Sequence, residues 1–236
     1  MIYRKEMNER SPLRVFENSI HGGLGKGNIG VVMARAGVGK TAFLVGVAMD
    51  DLMRGQKVLH VSLGDTVAHV AEFYDEIFSD LRRTSHLENA EQARLDMERA
   101  RMIHSYAGGE FTMERFQESL GFIRNHAHFD PEVIIVDGFD FNEASETEMT
   151  TLKDFAQDQG VEIWLSALTR RAEAVTNPKG IPNPVARFDA WVSVMVNLEP
   201  SEGAVGVRLL KDHENEDVAD LHIKLDPTTM LLLVEE

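Results

Sequence analysis

The chain has 236 residues, 43% hydrophobic and 27% charged, with 39 acidic residues against 24 basic ones and a formal net charge of -15. That length and apolar content suit one domain spanning residues 1–236 with a full core, while the acidic excess repels phosphate backbones and disfavours a nucleic-acid partner unless local basic loops offset it. The absence of cysteine excludes disulfides and thiolate metal sites. No apolar run approaches the ~20 residues needed to cross a bilayer, and the N-terminus MIYRKEMNER is charged where a signal peptide is apolar, so a cytoplasmic protein without a membrane partner is expected.

Residues 1–20 make an N-terminal helical segment, with Leu13, Val15, Phe16 and Ile20 near helical spacing behind Ser11-Pro12. A glycine-rich loop, HGGLGKG, follows. The short run IGVVMA predicts a buried strand that feeds a second glycine loop and a helix from Lys40 to about Arg54, with Gly55 placed to cap it. KVLHVSL (57–63), EVIIVDG (132–138) and VEIWLSA (161–167) repeat the strand pattern. Alternation with helices makes the expected fold α/β, a mostly parallel central sheet flanked by helices.

Three helical patterns lie between these strands: Val67, Val70, Ala71, Tyr74, Phe78 and Leu81; a charged stretch from Leu87 to Ile103; and Met113, Phe116, Leu120 and Ile123. Ser145 and Glu148 fit a capping box that opens a helix carrying Leu152, Phe155 and Ala156, with a stop at Gly160. Residues 172–189 contain three prolines and little periodicity, which predicts a long surface loop. AWVSVMVNL, VGVRLLKD, DLHIKLD and MLLLVEE read as successive short strands, an antiparallel extension that makes 200–236 a C-terminal β region.

The segment Ala34 to Thr41, ARAGVGKT, carries the chemistry. A phosphate loop needs small residues whose backbone N–H groups converge on anionic oxygens, then a lysine, then a hydroxyl for Mg²⁺. Gly37 and Gly39 permit the close backbone approach, Lys40 reaches the β- and γ-phosphates, Thr41 ligands the metal, and the helix starting at Lys40 adds its dipole. The nucleotide-binding residues are therefore Ala34, Arg35, Ala36, Gly37, Val38, Gly39, Lys40, Thr41 and Ala42; Ala34 stands where the usual motif has glycine. Asp137, ending the run VIIVD, is the expected second metal ligand, bound through water, and Asp140 is read as a turn residue.

With these motifs in place, the chain resembles the RecA-like P-loop NTPase superfamily, in particular the branch holding DnaB-type replicative helicases and KaiC-like clock ATPases. The likeness covers most of residues 11–236. It rests on the GGL-x-x-G run from Gly22 to Gly27, ARAGVGKT, HVSLGD after the second strand, LSALTRR after the fourth, and LLKDH near the C-terminus. The resemblance implies a RecA fold, ATP/ADP as the ligand with Mg²⁺, and a homo-oligomeric ring or filament in which a neighbour completes the site.

It also implies a catalytic glutamate after the second strand, where this chain has Gly64 and Asp65; Asp65 matches the second of a pair of acids in clock-type members but is one methylene shorter. A γ-phosphate-sensing glutamine is replaced by Ala167. A trans-acting Lys-x-Arg finger reads Lys211-Asp212-His213 here, so Lys211 is the candidate finger and His213 replaces an always-charged fork. With Lys40 and Asp65 as the catalytic candidates, misplacement on the ångström scale (~10²-fold in rate) and loss of an arginine finger (~10³ or more) both point to a weak ATPase.

The expected function is thus ATP binding with slow hydrolysis by a nucleotide-gated oligomer or regulatory partner. Its rivals are a DNA-dependent helicase- or recombinase-like ATPase using the basic loop Arg170, Arg171, Lys179 and Arg187, and an autophosphorylating P-loop kinase. His126, His128 and Asp130 have a spacing that can hold a metal, but with no further ligand nearby they read as a solvated loop.

Overall fold

The computed structural model describes residues 12–20, 22–85, 89–169, 176–215, 218 and 220–234. Among them, nine strands form one sheet: β1 (Ile29–Ala34), β2 (Val58–Ser62), β3 (Arg101–Ser105), β4 (Val133–Asp137), β5 (Glu162–Leu168), β6 (Val194–Ser201), β7 (Ala204–Asp212), β8 (Ile223–Leu225) and β9 (Leu232–Val234). Their order is β3-β2-β4-β5-β1-β6-β7-β8-β9. The first six neighbours pair in parallel, and β6-β7-β8-β9 pair antiparallel. The helices are α1 (Pro12–Ser19), α2 (Lys40–Arg54), α3 (Val67–Ser85), α4 (Ala90–Ala100), α5 (Met113–Ala127) and α6 (Glu146–Gln159). None of the described helices is long and apolar enough to cross a membrane.

Strand alternation divides the core into two layers. Val32, Val58, Ile135 and Trp164 face α2 and α3, where Phe43, Leu44, Val70 and Tyr74 meet them. Val31, Leu59, Ile134 and Ile163 face α5 and α6, against Phe116, Leu120, Leu152 and Phe155. The first layer closes around an aromatic triad in which Phe16 of α1 meets Phe43 edge-on at 5.7 Å and Trp164 at 6.0 Å. The Trp164 ring lies so close over its strand neighbour Gly30 that a Cβ there would fall 2.6 Å from it, so β1 needs glycine at this point.

The helix ends follow from local sequence. Gly55 and Gly160 adopt left-handed conformations at the C-caps of α2 and α6. Ser145 and Glu148 close a reciprocal capping box at the start of α6. Thr66 caps α3, its Oγ1 accepting the His69 N–H at 3.2 Å.

Three expectations need correction. The charged stretch read as helical to Ile103 ends as α4 at Ala100, and Arg101–Ser105 continues as edge strand β3; its start, Leu87, lies outside the described residues. All five residues of β3 are only half-buried, so the apolar run that marks an inner strand is missing, and Arg101 covers the Tyr74 ring at 4.4 Å instead. The first of the C-terminal strands, β6, runs parallel to β1, so the antiparallel extension starts one strand later, at β7. Of the segment 172–189, residues 172–175 lie outside the described residues, and the remainder is not all surface: Ile181, Val185 and Phe188 are fully buried, and Val185–Phe188 is a 3-10 turn packed under the sheet.

The topology fixes where a ligand can sit. From β1 the chain crosses by α2 over β5 and β4 to reach β2, whereas from β5 it leaves in the other direction, to β6. Connections diverge where β1 meets β5, and the crevice outside the carboxyl ends of such strands is the usual ligand position in a parallel sheet.

Candidate functional site

The loop from Ala34 to Lys40 leaves the carboxyl end of β1 at that crevice. Gly37 (φ 74°) and Gly39 (φ 114°) take conformations that disfavour a side chain. Gly39 heads α2 without a side-chain cap, so the N–H groups of the first helical turn, which have no partner within the helix, stay available at the positive end of its dipole. Leu225 of β8 packs on this loop, and a Cβ on Gly39 would lie 2.6 Å from its Cδ2. Val38 is partly buried against the first core layer and Ala42 is fully within it, while Ala36 is exposed.

Lys40 is half-buried, and its Nζ donates to the carbonyls of Arg35 at 3.3 Å and Ala34 at 3.4 Å. Burial lowers its pKa, and the nearby Asp137 carboxylate acts the other way. The next residue, Thr41, donates through Oγ1 to Asp137 Oδ2 at 2.6 Å. Asp137 ends β4, two strands from β1 and 7% exposed. The intervening strand, β5, contributes Ser166, which donates to Asp137 Oδ1 at 2.5 Å and accepts the Gly138 N–H at 2.7 Å. Both oxygens of one buried carboxylate are thereby held by hydroxyls from two different elements.

Beside this group opens a cleft of about 330 Å³ whose lining includes Lys40, Asp137, Ser166, Phe139, Asp140 and Leu168. Asp140 shapes the loop as a turn former, its Oδ1 accepting the Asn142 N–H at 2.9 Å. Arg187 braces the same loop from below, with Nη2 donating to the carbonyls of Phe141 (2.6 Å), Asn142 (3.0 Å) and Ala144 (2.6 Å). The arrangement offers N–H donors and a lysine to an anion, and a hydroxyl–carboxylate pair to a hard cation that keeps several of its waters.

The other sequence candidates lie elsewhere. Asp65 follows β2, with its N–H bonded to Ser62 Oγ at 2.9 Å and its carbonyl accepting from Ser105 Oγ at 2.6 Å. Its carboxylate is 46% exposed, lies 3.8 Å from His69 Nε2, and does not line the cleft. Ala167 points into the α5–α6 layer, the opposite side of β5 from Ser166.

Lys211 is buried, donating to the Asp189 carbonyl at 2.5 Å and pairing with Asp189 Oδ1 at 2.9 Å. The His213 ring contacts Asp212 Oδ1 at 2.9 Å and the Leu24 carbonyl at 3.1 Å. Register places both at the amino end of β1 and β6, away from the glycine loop of their own chain. A finger role for Lys211 requires it to exchange these internal bonds for a neighbour's phosphate.

Of the basic loop, Lys179 is paired with Asp189 at 2.7 Å and the exposed Arg187 bonds backbone carbonyls of the 141–144 loop, while Arg170 and Arg171 lie outside the described residues. His126 stacks on Phe122 at 4.4 Å and Asp130 pairs with Arg124 at 2.7 Å. No group of three or more His, Cys, Asp or Glu that could hold a metal occurs among the described residues.

Ser166 has no role from sequence beyond its place in LSALTRR, and Arg187 is assigned there to the basic loop rather than to bracing the cleft. The signal for Ser166 was a lone hydroxyl in the apolar run VEIWLSA, one residue before its carboxyl end; Arg187 gave none, because its three acceptors are backbone carbonyls more than forty residues away in sequence. No protein-family model matches the chain, and no curated protein matches it significantly.

Proposed function

We propose that this chain is a RecA-like, KaiC-like P-loop protein that binds ATP with Mg²⁺ at residues 34–42, hydrolyses it slowly, and acts as a nucleotide-gated homo-oligomer or regulatory partner. The observation that carries the reading is the 2.6 Å bond between Thr41 and Asp137. Residues 96 positions apart meet at the carboxyl ends of strands separated by β5, and they are the two residues whose sequence contexts call for Mg²⁺. Charge supports it as well: the uncapped helix start and Lys40 form a cationic seat in a chain of net charge -15.

The geometry supports a role for each residue of the loop in this reading. The N–H groups of Ala36, Gly37, Gly39, Lys40 and Thr41 receive the phosphates, that of Val38 being bonded to the Arg35 carbonyl at 3.4 Å, and Lys40 exchanges two weak carbonyl bonds for phosphate oxygens. Thr41 Oγ1 and Asp137 would hold the metal, which requires few protein ligands because Mg²⁺ keeps several waters and takes substrate oxygens. Bound there, Mg²⁺ neutralises charge on the β- and γ-phosphates.

Slow turnover is supported by Asp65. Its short side chain is directed to His69 and lies outside the cleft lining, so orienting a water at the γ-phosphate requires it to rotate away. Oligomerisation rests on the family resemblance. The nucleic-acid and kinase readings gain nothing from the geometry, since Lys179 is paired with Asp189 and the guanidinium of Arg187 is spent on backbone carbonyls of its own chain.

Turnover and mass in solution, measured with and without ATP–Mg²⁺, test the reading. We expect hydrolysis well below the median enzyme turnover of about 10 s⁻¹ and a mass that changes with nucleotide. A mass indifferent to nucleotide, or turnover stimulated by single-stranded DNA, contradicts it.

A further inference from the structure

We infer that Ser166 is a positioning residue for the metal site: it fixes the rotamer of Asp137 so that one carboxylate oxygen faces Thr41 and the bound cation. The inference rests on the nucleotide reading above and concerns a residue to which neither the sequence motifs nor the resemblance assigns a role.

Hydrogen-bond direction leaves Ser166 a single arrangement. Its Oγ accepts the Gly138 N–H at 2.7 Å, an interaction in which the serine can only be acceptor, so its own proton is free for Asp137 Oδ1 at 2.5 Å. Both bonds run to consecutive residues, Asp137 and Gly138, and so tie the end of β4 to β5 through backbone and side chain together. Ser166 is 1% exposed and belongs to a strand rather than a loop, which gives its hydroxyl a fixed origin. Asp137 Oδ2 is then the oxygen turned to Thr41, at 2.6 Å.

Removing the hydroxyl frees the carboxylate to rotate about its side-chain bonds. It also leaves the Gly138 N–H without this partner. Groups that orient a metal-binding carboxylate typically change metal affinity by about 10–100-fold when lost. A hydroxyl acting only through fold stability would weaken nucleotide binding to the same degree with and without metal.

The experiment measures a fluorescent ATP analogue binding to the full chain across a Mg²⁺ titration and in EDTA, for wild type, Ser166→Ala, Ser166→Cys and Asp137→Asn. Ser166→Ala is expected to raise the Mg²⁺ concentration for half-maximal effect by about tenfold or more, with Ser166→Cys, a weaker donor of similar size, in between. In the Asp137→Asn background Ser166→Ala should add little further loss, because the carboxylate it orients is gone. An equal loss of affinity with and without Mg²⁺, or additive effects of the two substitutions, overturns the positioning role while leaving the nucleotide site standing. If wild type shows no Mg²⁺-dependent binding, the nucleotide reading falls and this inference with it. Should Ser166→Ala fail to fold, Ser166→Cys carries the comparison, and a wild-type Mg²⁺ dependence in that variant is the refuting result.

Discussion

Replacing Gly39 by alanine should damage the protein more than the same change at Gly37, although both glycines sit in one loop with positive φ. At Gly37 (φ 74°) an added Cβ meets nothing within 4 Å, so the cost is that of left-handed backbone, about 1–2 kcal/mol. At Gly39 the φ of 114° lies beyond the left-handed well, which costs about 1–3 kcal/mol. The new Cβ also meets Leu225 Cδ2 at 2.6 Å, a terminal methyl that must turn aside, adding about 0.5–1.5 kcal/mol of rotamer strain. Urea unfolding followed by circular dichroism gives both values, and in a chain of this size each kcal/mol moves Tm by about 2–4 °C. Leu225→Ala provides the internal control: it removes the collision and leaves the backbone strain, so Gly39→Ala should cost only the strain component, about 1–3 kcal/mol, in that background. Equal destabilisation by Gly37→Ala and Gly39→Ala, or an unchanged cost of Gly39→Ala beside Ala at 225, would refute the packing of β8 on the loop.

Two further outcomes follow from buried polar groups. Burial lowers the His60 pKa from 6.5 to about 4, so between those values the unfolded chain binds a proton that the folded one does not, and stability falls as pH drops from 6.5 towards 4. The difference amounts to about 3 kcal/mol and should be absent from the pH profile of His60→Leu; an NMR titration placing the ring pKa near 6.5 would contradict it. Arg187→Ala should cost about 2–4 kcal/mol by orphaning the part-buried carbonyls of Phe141 and Ala144 and should speed amide exchange across residues 139–145. Unaltered exchange there would show that Arg187 does not brace the cleft.

The layered fold and the loop were legible because they rest on local signals. Apolar runs such as VIIVD mark inner strands, glycines mark the ends of α2 and α6, and ARAGVGKT carries its own chemistry in contiguous residues. What escaped depended on distant partners. Arg101–Ser105 is half-buried at a sheet edge, so its pattern merged with the charged helix before it. The parallel direction of β6 accompanies a segment, 181–192, that returns the chain to the amino end of β1 and is anchored by buried Ile181, Val185, Phe188 and Val192, and proline-rich sequence hides those anchors. At the site, Thr41 and Asp137 could each be nominated from sequence, but their contact, and Ser166 behind it, exist only once β5 is threaded between β1 and β4. Asp65 shows the converse: a motif position can be right in order along the chain while its side chain turns elsewhere, here to His69.

In the proposed function, the glycine loop and Asp137 form one binding site for a metal–nucleotide pair. Calorimetric titration of the purified chain with ATP, in Mg²⁺ and in EDTA, alongside Lys40→Ala, tests it most directly. The account predicts saturable binding that strengthens with Mg²⁺ and is largely lost in Lys40→Ala. Binding of equal strength to Lys40→Ala, or none to the wild-type chain, would contradict it.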